Sequence, residues 1–231
     1  MFDFSIIIQE WPTYLQGLGN TVWLVAVSLL FGLSIALPLA ICRNSQNPLL
    51  RLPAWAYIYF FRGTPMLVQL FIIYYGAGQW DGLRHSWAWE WFQEAWFCAL
   101  LSFSLNTAAY TAEIIRGAIR TIPKGEIEAA QAFGMTPWQT MRCIVLPSAF
   151  RRALPAYSNE VIFMLHGSAV AGIITVVDLT GAAKIINARY YSPFEAFITA
   201  GLCYMVLSFM IVWCFRRLEL RWHAHLRPRS L

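Results

Sequence analysis

Arg62 and Glu160 stand where charge is costly, at the edges of long uncharged runs. Arg62 lies eight residues beyond Ala54, which at ~1.5 Å per residue is on the order of 12 Å into an apolar helix. Glu160 immediately precedes the apolar run that starts at Val161. An ionisable group at membrane depth marks a functional position with a partner. A guanidinium and a carboxylate at different heights of one cavity would complement the two ends of a ligand that carries both an anionic and a cationic group. The anionic end would lie bidentately on Arg62 and the cationic end on Glu160. The same two groups can equally pair with each other or with another protein, so residue type alone leaves both uses open. Gln69, Asn106 and Ser168 can add neutral hydrogen bonds, and Thr64-Pro65 can kink the intervening helix to open space.

Two other pairs have a simpler reading. Glu113 and Arg116 are one helical turn apart and read as a structural ion pair. His166 and Ser168 suggest a base and a nucleophile, but residues two apart on a helix do not face each other. No third group orients them, so a hydrolase is not supported and His166 reads better as a bond between helices.

The elements that must position these residues are membrane helices. The 231-residue chain is 58% hydrophobic and 13% charged, about half the charge of a soluble domain. Residues 11–42, 63–80, 95–112, 161–177 and 196–215 carry no Asp, Glu, Lys or Arg. Each is close to the ~20 residues a helix needs to cross a bilayer core. Continuous hydrophobicity without two-residue alternation predicts helices rather than a barrel. The expectation is an all-α membrane protein, one domain over residues 1–231. Its five transmembrane helices fall near 18–42, 54–77, 95–118, 153–177 and 194–216.

The net charge of +5 is a topology signal rather than a nucleic-acid signal. Five spans with the N-terminus outside place Arg43, Arg51, the basic residues from Arg116 to Arg152 and the C-terminal arginines, Arg227 and Arg229 among them, on the inner side. Only Arg84, Lys184 and Arg189 then lie outside, which is the positive-inside asymmetry. Residues 1–17 lack the basic n-region of a signal peptide and predict an interfacial segment, with Trp11 and Tyr14 at headgroup level. The outer loop from Gly76 to Glu94 carries Trp87, Trp89 and Trp91, an interfacial belt or a contact for an outside protein. The five cysteines are scattered without CxxC or His/Cys clustering, so neither a disulfide framework nor a metal site is expected.

Residues 119–147 break the apolar rule and form a cytoplasmic loop. Lys124 opens a short helix carrying Glu126, Glu128, Ala129 and Ala130, and Gly134 falls where a left-handed helix terminus is expected. Thr136-Pro137 reads as an N-cap with proline at the first helical position, starting a second short helix that ends near Pro147. The result is a helix–turn–helix elbow with a small alanine face. By itself it is either a capped connector or a handle for a soluble partner.

Glu128-Ala129-Ala130, Gly134, then nine residues and Ile144-Val145-Leu146-Pro147 resemble the EAA signature of ABC importer permeases. Arg62-Gly63-Thr64-Pro65, the run Asn106 to Ile114 and the run Leu154 to Ile162 resemble further segments of the polar amino-acid type. The likeness covers nearly the whole chain and is nearest to the M-type permease of histidine/lysine/arginine/ornithine or arginine/ornithine importers. It implies a type I importer fold in the bacterial inner membrane and import of basic amino acids by alternating access. It also implies a paralogous permease partner, two ATP-binding subunits and a periplasmic binding protein. Glu126, Glu128, Ala129, Ala130, Gly134, Ile144, Leu146 and Pro147 would couple to the ATPase. The chain lacks G-x-x-x-x-G-K-[ST], so ATP and Mg would be bound by the partner and no cofactor by this chain. A stand-alone secondary transporter is the alternative, and the absence of an inverted repeat argues against it.

Overall fold

The computed structural model describes residues 5–222; Arg227 and Arg229 lie outside them. The described chain is helical. A short helix α1 (Ser5–Gln9) precedes α2 (Trp11–Asn44), followed by α3 (Pro48–Gly63) and α4 (Met66–Ala77). Two single-turn helices, α5 (Asp81–Arg84) and α6 (Trp89–Phe92), occupy the tryptophan-rich loop before α7 (Ala95–Arg120). The elbow holds α8 (Lys124–Ala132) and α9 (Pro137–Thr140), then a π-helical turn (Met141–Val145) that runs into α10 (Leu146–Gly167). A 3-10 segment (Ser168–Ile174), α11 (Leu179–Tyr190) and α12 (Pro193–Trp222) complete the fold.

Helices α2, α7 and α12 are each long and apolar enough to cross a membrane, and the bent pairs α3/α4 and α9–α10/α11 raise the number to as many as five. α7 is the hub. It packs most extensively on α2 and also contacts α3, α4 and α10. Its buried face is small and polar, with Ser102, Ser104, Thr107, Thr111 and three alanines at positions 108, 109 and 112. Small residues let membrane helices approach closely, and dispersion rather than water release then holds them. The approach is tightest at Gly32 of α2, where a Cβ would stand 2.2 Å from Thr107 Cγ2.

Three elements differ from the sequence reading. The stretch expected as one span over 54–77 with a kink at Thr64-Pro65 is fully broken there, and the chain turns by 102° between α3 and α4. Proline disfavours helical backbone at the residue before it, and Thr64 is accordingly extended (φ −120°, ψ 144°). The second elbow helix does not end near Pro147. Pro147 directly follows the π-helical turn Met141–Val145, and the helix continues through it to Gly167. At the N-terminus, among the described residues, the separate helix spans Ser5–Gln9 and α2 already begins at Trp11. Tyr14 is fully buried and its hydroxyl donates to the Ala196 carbonyl at 2.9 Å, so it packs in the core of the fold.

Candidate functional site

The break at Thr64-Pro65 frees main-chain carbonyls at the end of α3, and in an apolar interior these need donors. Gln69, one turn into α4, supplies them. Its Nε2 lies 2.9 Å from the Phe61 carbonyl, 3.0 Å from the Thr64 carbonyl and 2.7 Å from Thr64 Oγ1, three acceptors shared by two N–H groups. Asn106 of α7 donates to Gln69 Oε1 at 2.8 Å and reaches the Phe61 carbonyl at 3.4 Å. The pair thus locks the kink from a neighbouring helix.

The kink opens a cavity of about 360 Å³ lined by Thr64, Pro65, Met66, Asn106, Tyr110, Glu160, Phe163 and Met164. Glu160, on the buried face of α10, is its single carboxylate and is 6% exposed. Thr107 Oγ1 donates to Glu160 Oε1 at 2.8 Å. A carboxylate offers about four acceptor positions, so this bond leaves most of its capacity for a cationic group in the cavity. Such a lining, largely apolar with few convergent polar groups, is typical of small-molecule sites.

Arg62 does not line that cavity. It faces a second one, of about 400 Å³, together with Arg43, Trp55, Ile58, Tyr59, Gly63, Tyr110 and Glu113. Its guanidinium lies 5.3 Å from the Tyr110 ring centre and 4.0 Å from Glu113 Oε2. The Glu113–Arg116 pair forms as expected, with Nε and an Nη of Arg116 donating at 2.8 and 2.6 Å. Ser168 lines neither cavity; it is buried and donates to the Leu165 carbonyl at 2.8 Å. His166 meets Ser208 of α12 at 3.0 Å, a bond between helices rather than a dyad with Ser168. Thr107, Tyr110 and Phe163 were not singled out from sequence. Tyr110 had a signal, because it lies four residues after Asn106 and shares its helix face.

The elbow is built by local rules. Gly134 adopts φ +77°. Met135 N–H donates to the Ala130 carbonyl at 3.1 Å and Gly134 N–H to the Gln131 carbonyl at 2.9 Å, a Schellman terminus. Thr136 and Gln139 then form a reciprocal capping box at 3.3 and 2.8 Å, with Pro137 at the first helical position. Glu126, Glu128, Ala129, Gly134 and Pro147 are exposed, whereas Ala130 is buried and Ile144 and Leu146 are half-buried against the rest of the fold. Glu126 lies 3.6 Å from Arg152 of α10. Beside them Phe133 is 89% exposed and Trp138 66% exposed. Two aromatic side chains bared on a polar elbow form a surface suited to a protein partner.

Broken membrane helices around a small cavity, joined to a capped elbow, define a transport permease. Residues 28–224 match the family described as binding-protein-dependent transport system inner membrane component. The chain belongs to that family, the membrane permeases of ABC importers. It is 46% identical over 215 residues to the histidine/lysine/arginine/ornithine transport system permease protein HisM of Escherichia coli, covering 93% of this chain and 90% of that one. It is 43% identical over 228 residues to the nopaline transport system permease protein NocM of Agrobacterium fabrum, covering 98% and 95%. The crystal structure of an amino acid ABC transporter with histidines superposes with a TM-score of 0.85 at 33% identity, covering 96% of this chain and 99% of that chain. Among the described residues no group of three His, Cys, Asp or Glu side chains could hold a metal ion.

Proposed function

We propose that this chain is the permease subunit that passes basic amino acids across the inner membrane, with Glu160 receiving the cationic end of the substrate. The observation that carries this is the buried Glu160 carboxylate, the single charge in a cavity opened by the α3/α4 break. Histidine, lysine, arginine and ornithine name the transport system of one relative. In this reading five spans cross the membrane with the N-terminus outside and the C-terminus inside, as the distribution of arginine favours. The elbow docks on one of two ATP-binding subunits, which bind ATP and Mg and hydrolyse the nucleotide. A paralogous permease completes the pathway, and a periplasmic binding protein delivers the amino acid. Asn106 and Gln69 hold the cavity open, and Asn106 also lines it. Arg62 acts beside the cavity, and Ser168 supports the 3-10 segment behind it.

The test is uptake of labelled arginine, histidine and glutamine by the reconstituted complex, with wild type beside Glu160→Gln. A hydrogen bond to a charged group is worth about 1.5–3 kcal/mol, so arginine uptake should fall roughly ten- to a hundredfold. Histidine, only partly cationic at neutral pH, should fall less, and glutamine should not fall. Equal retention of all three substrates would remove Glu160 from substrate recognition.

A further inference from the structure

The second cavity holds a charge imbalance that the Glu160 site does not explain. Asn106, Tyr110 and Glu113 follow one another at single-turn spacing along α7, so Tyr110 borders both cavities and Glu113 lies a turn nearer the elbow. Arg116 engages both oxygens of Glu113, at 2.8 and 2.6 Å. Arg43 and Arg62 stay 3.9 and 4.0 Å from the same carboxylate, beyond hydrogen-bond range. The Nε of Arg43 is buried and has no hydrogen-bond partner among the described residues. A buried donor without an acceptor is costly, more so when it is charged. Two guanidinium groups therefore face a cavity of about 400 Å³ with one carboxylate that is already engaged.

The group that would satisfy them is a planar anion able to take a bidentate bond, which is a carboxylate. The other walls suit the remainder of an amino acid. Trp55 and Tyr59, stacked with ring centres 5.2 Å apart, offer aromatic faces to an aliphatic or cationic tail. We propose that this cavity is a second amino-acid station, between the Glu160 site and the elbow, holding the α-carboxylate against Arg43 and Arg62 whatever the side chain. The station rests on the amino-acid import proposed above. It divides recognition, with the tail sensed at Glu160 and the carboxylate at the arginines.

The assembled, nucleotide-free complex in lipid nanodiscs is titrated with two lysine analogues. Norleucine keeps the α-carboxylate and loses the tail amine; cadaverine keeps the tail amine and loses the carboxylate. Arg43→Met should weaken norleucine binding about tenfold or more and leave cadaverine within about twofold. Glu160→Gln should do the reverse. Unchanged cadaverine binding also reports that the Arg43→Met complex is intact. If that complex does not assemble, Arg62→Met, a change at a more exposed position, tests the same carboxylate contact. Equal norleucine affinity in wild type and the arginine variant, or no norleucine binding at all, overturns the station. Cadaverine binding that ignores Glu160→Gln instead overturns the Glu160 site and leaves the norleucine result standing.

Discussion

The Glu160 cavity and the elbow solve opposite problems. In the cavity the broken helix and the carboxylate are held from within the protein: Gln69 and Asn106 cap the broken helix, and Thr107 holds Glu160. In the elbow the backbone is closed by a Schellman turn and a capping box, but the aromatic side chains stay bare, Phe133 at 89% exposure. The first region must keep a charge in an apolar medium, where an unmatched group is costly. The second is exposed, and as the elbow proposed to dock on an ATP-binding subunit it leaves a surface free for a partner. The two regions are joined by α10, which starts at the elbow beside Arg152 and carries Glu160 into the cavity. The π-helical turn at its base, a form frequent at functional positions, lies between them.

That contrast can be broken from either side. The largest effect is expected at the elbow, where Phe133→Ala truncates an aromatic side chain that we place in the ATPase contact. An interface hot spot is worth about 2 kcal/mol or more, roughly thirtyfold in affinity. Copurification of the ATPase should drop accordingly, while arginine binding to the permease stays within about twofold. Loss of arginine binding would mean that elbow and cavity are not separable.

A smaller effect is expected inside. Thr107→Val keeps the volume near Gly32 and removes the donor to Glu160. Arginine uptake should fall about tenfold, the equivalent of one charge-assisted hydrogen bond, with ATPase copurification unchanged. Glutamine uptake falling equally would point to a packing role for Thr107. The smallest effect is Thr136→Ala, which removes an N-cap worth about 1 kcal/mol. It should increase protease cleavage within residues 124–140 several-fold at unchanged uptake, because α8 and α9 fray without disturbing the core.

The elbow was legible in the sequence almost residue by residue. Gly134, Thr136 and Pro137 act through their own backbone preferences, and the left-handed glycine and the N-cap follow from neighbours within four positions. Only the end of the second helix was misread. Pro147 looked like a terminator, but the helix passes it directly after a π-helical turn. The cavity was legible only in part. Glu160, Asn106 and Gln69 stand out as polar residues in apolar helices, yet their partners lie 53, 45 and 37 positions away along the chain in the pairs with Thr107, Phe61 and each other.

The sequence by itself determined the helical membrane class, because uncharged runs of bilayer length admit few other structures. It also determined the elbow, because caps and turns are local. The tertiary structure alone decided that Arg62 and Glu160 line different cavities on either side of Tyr110. Both residues sit on helices whose rotation is fixed by packing against α7 and by the 102° turn after Gly63. A side chain's depth can be counted along a helix, but the direction it faces depends on which neighbours press against that helix.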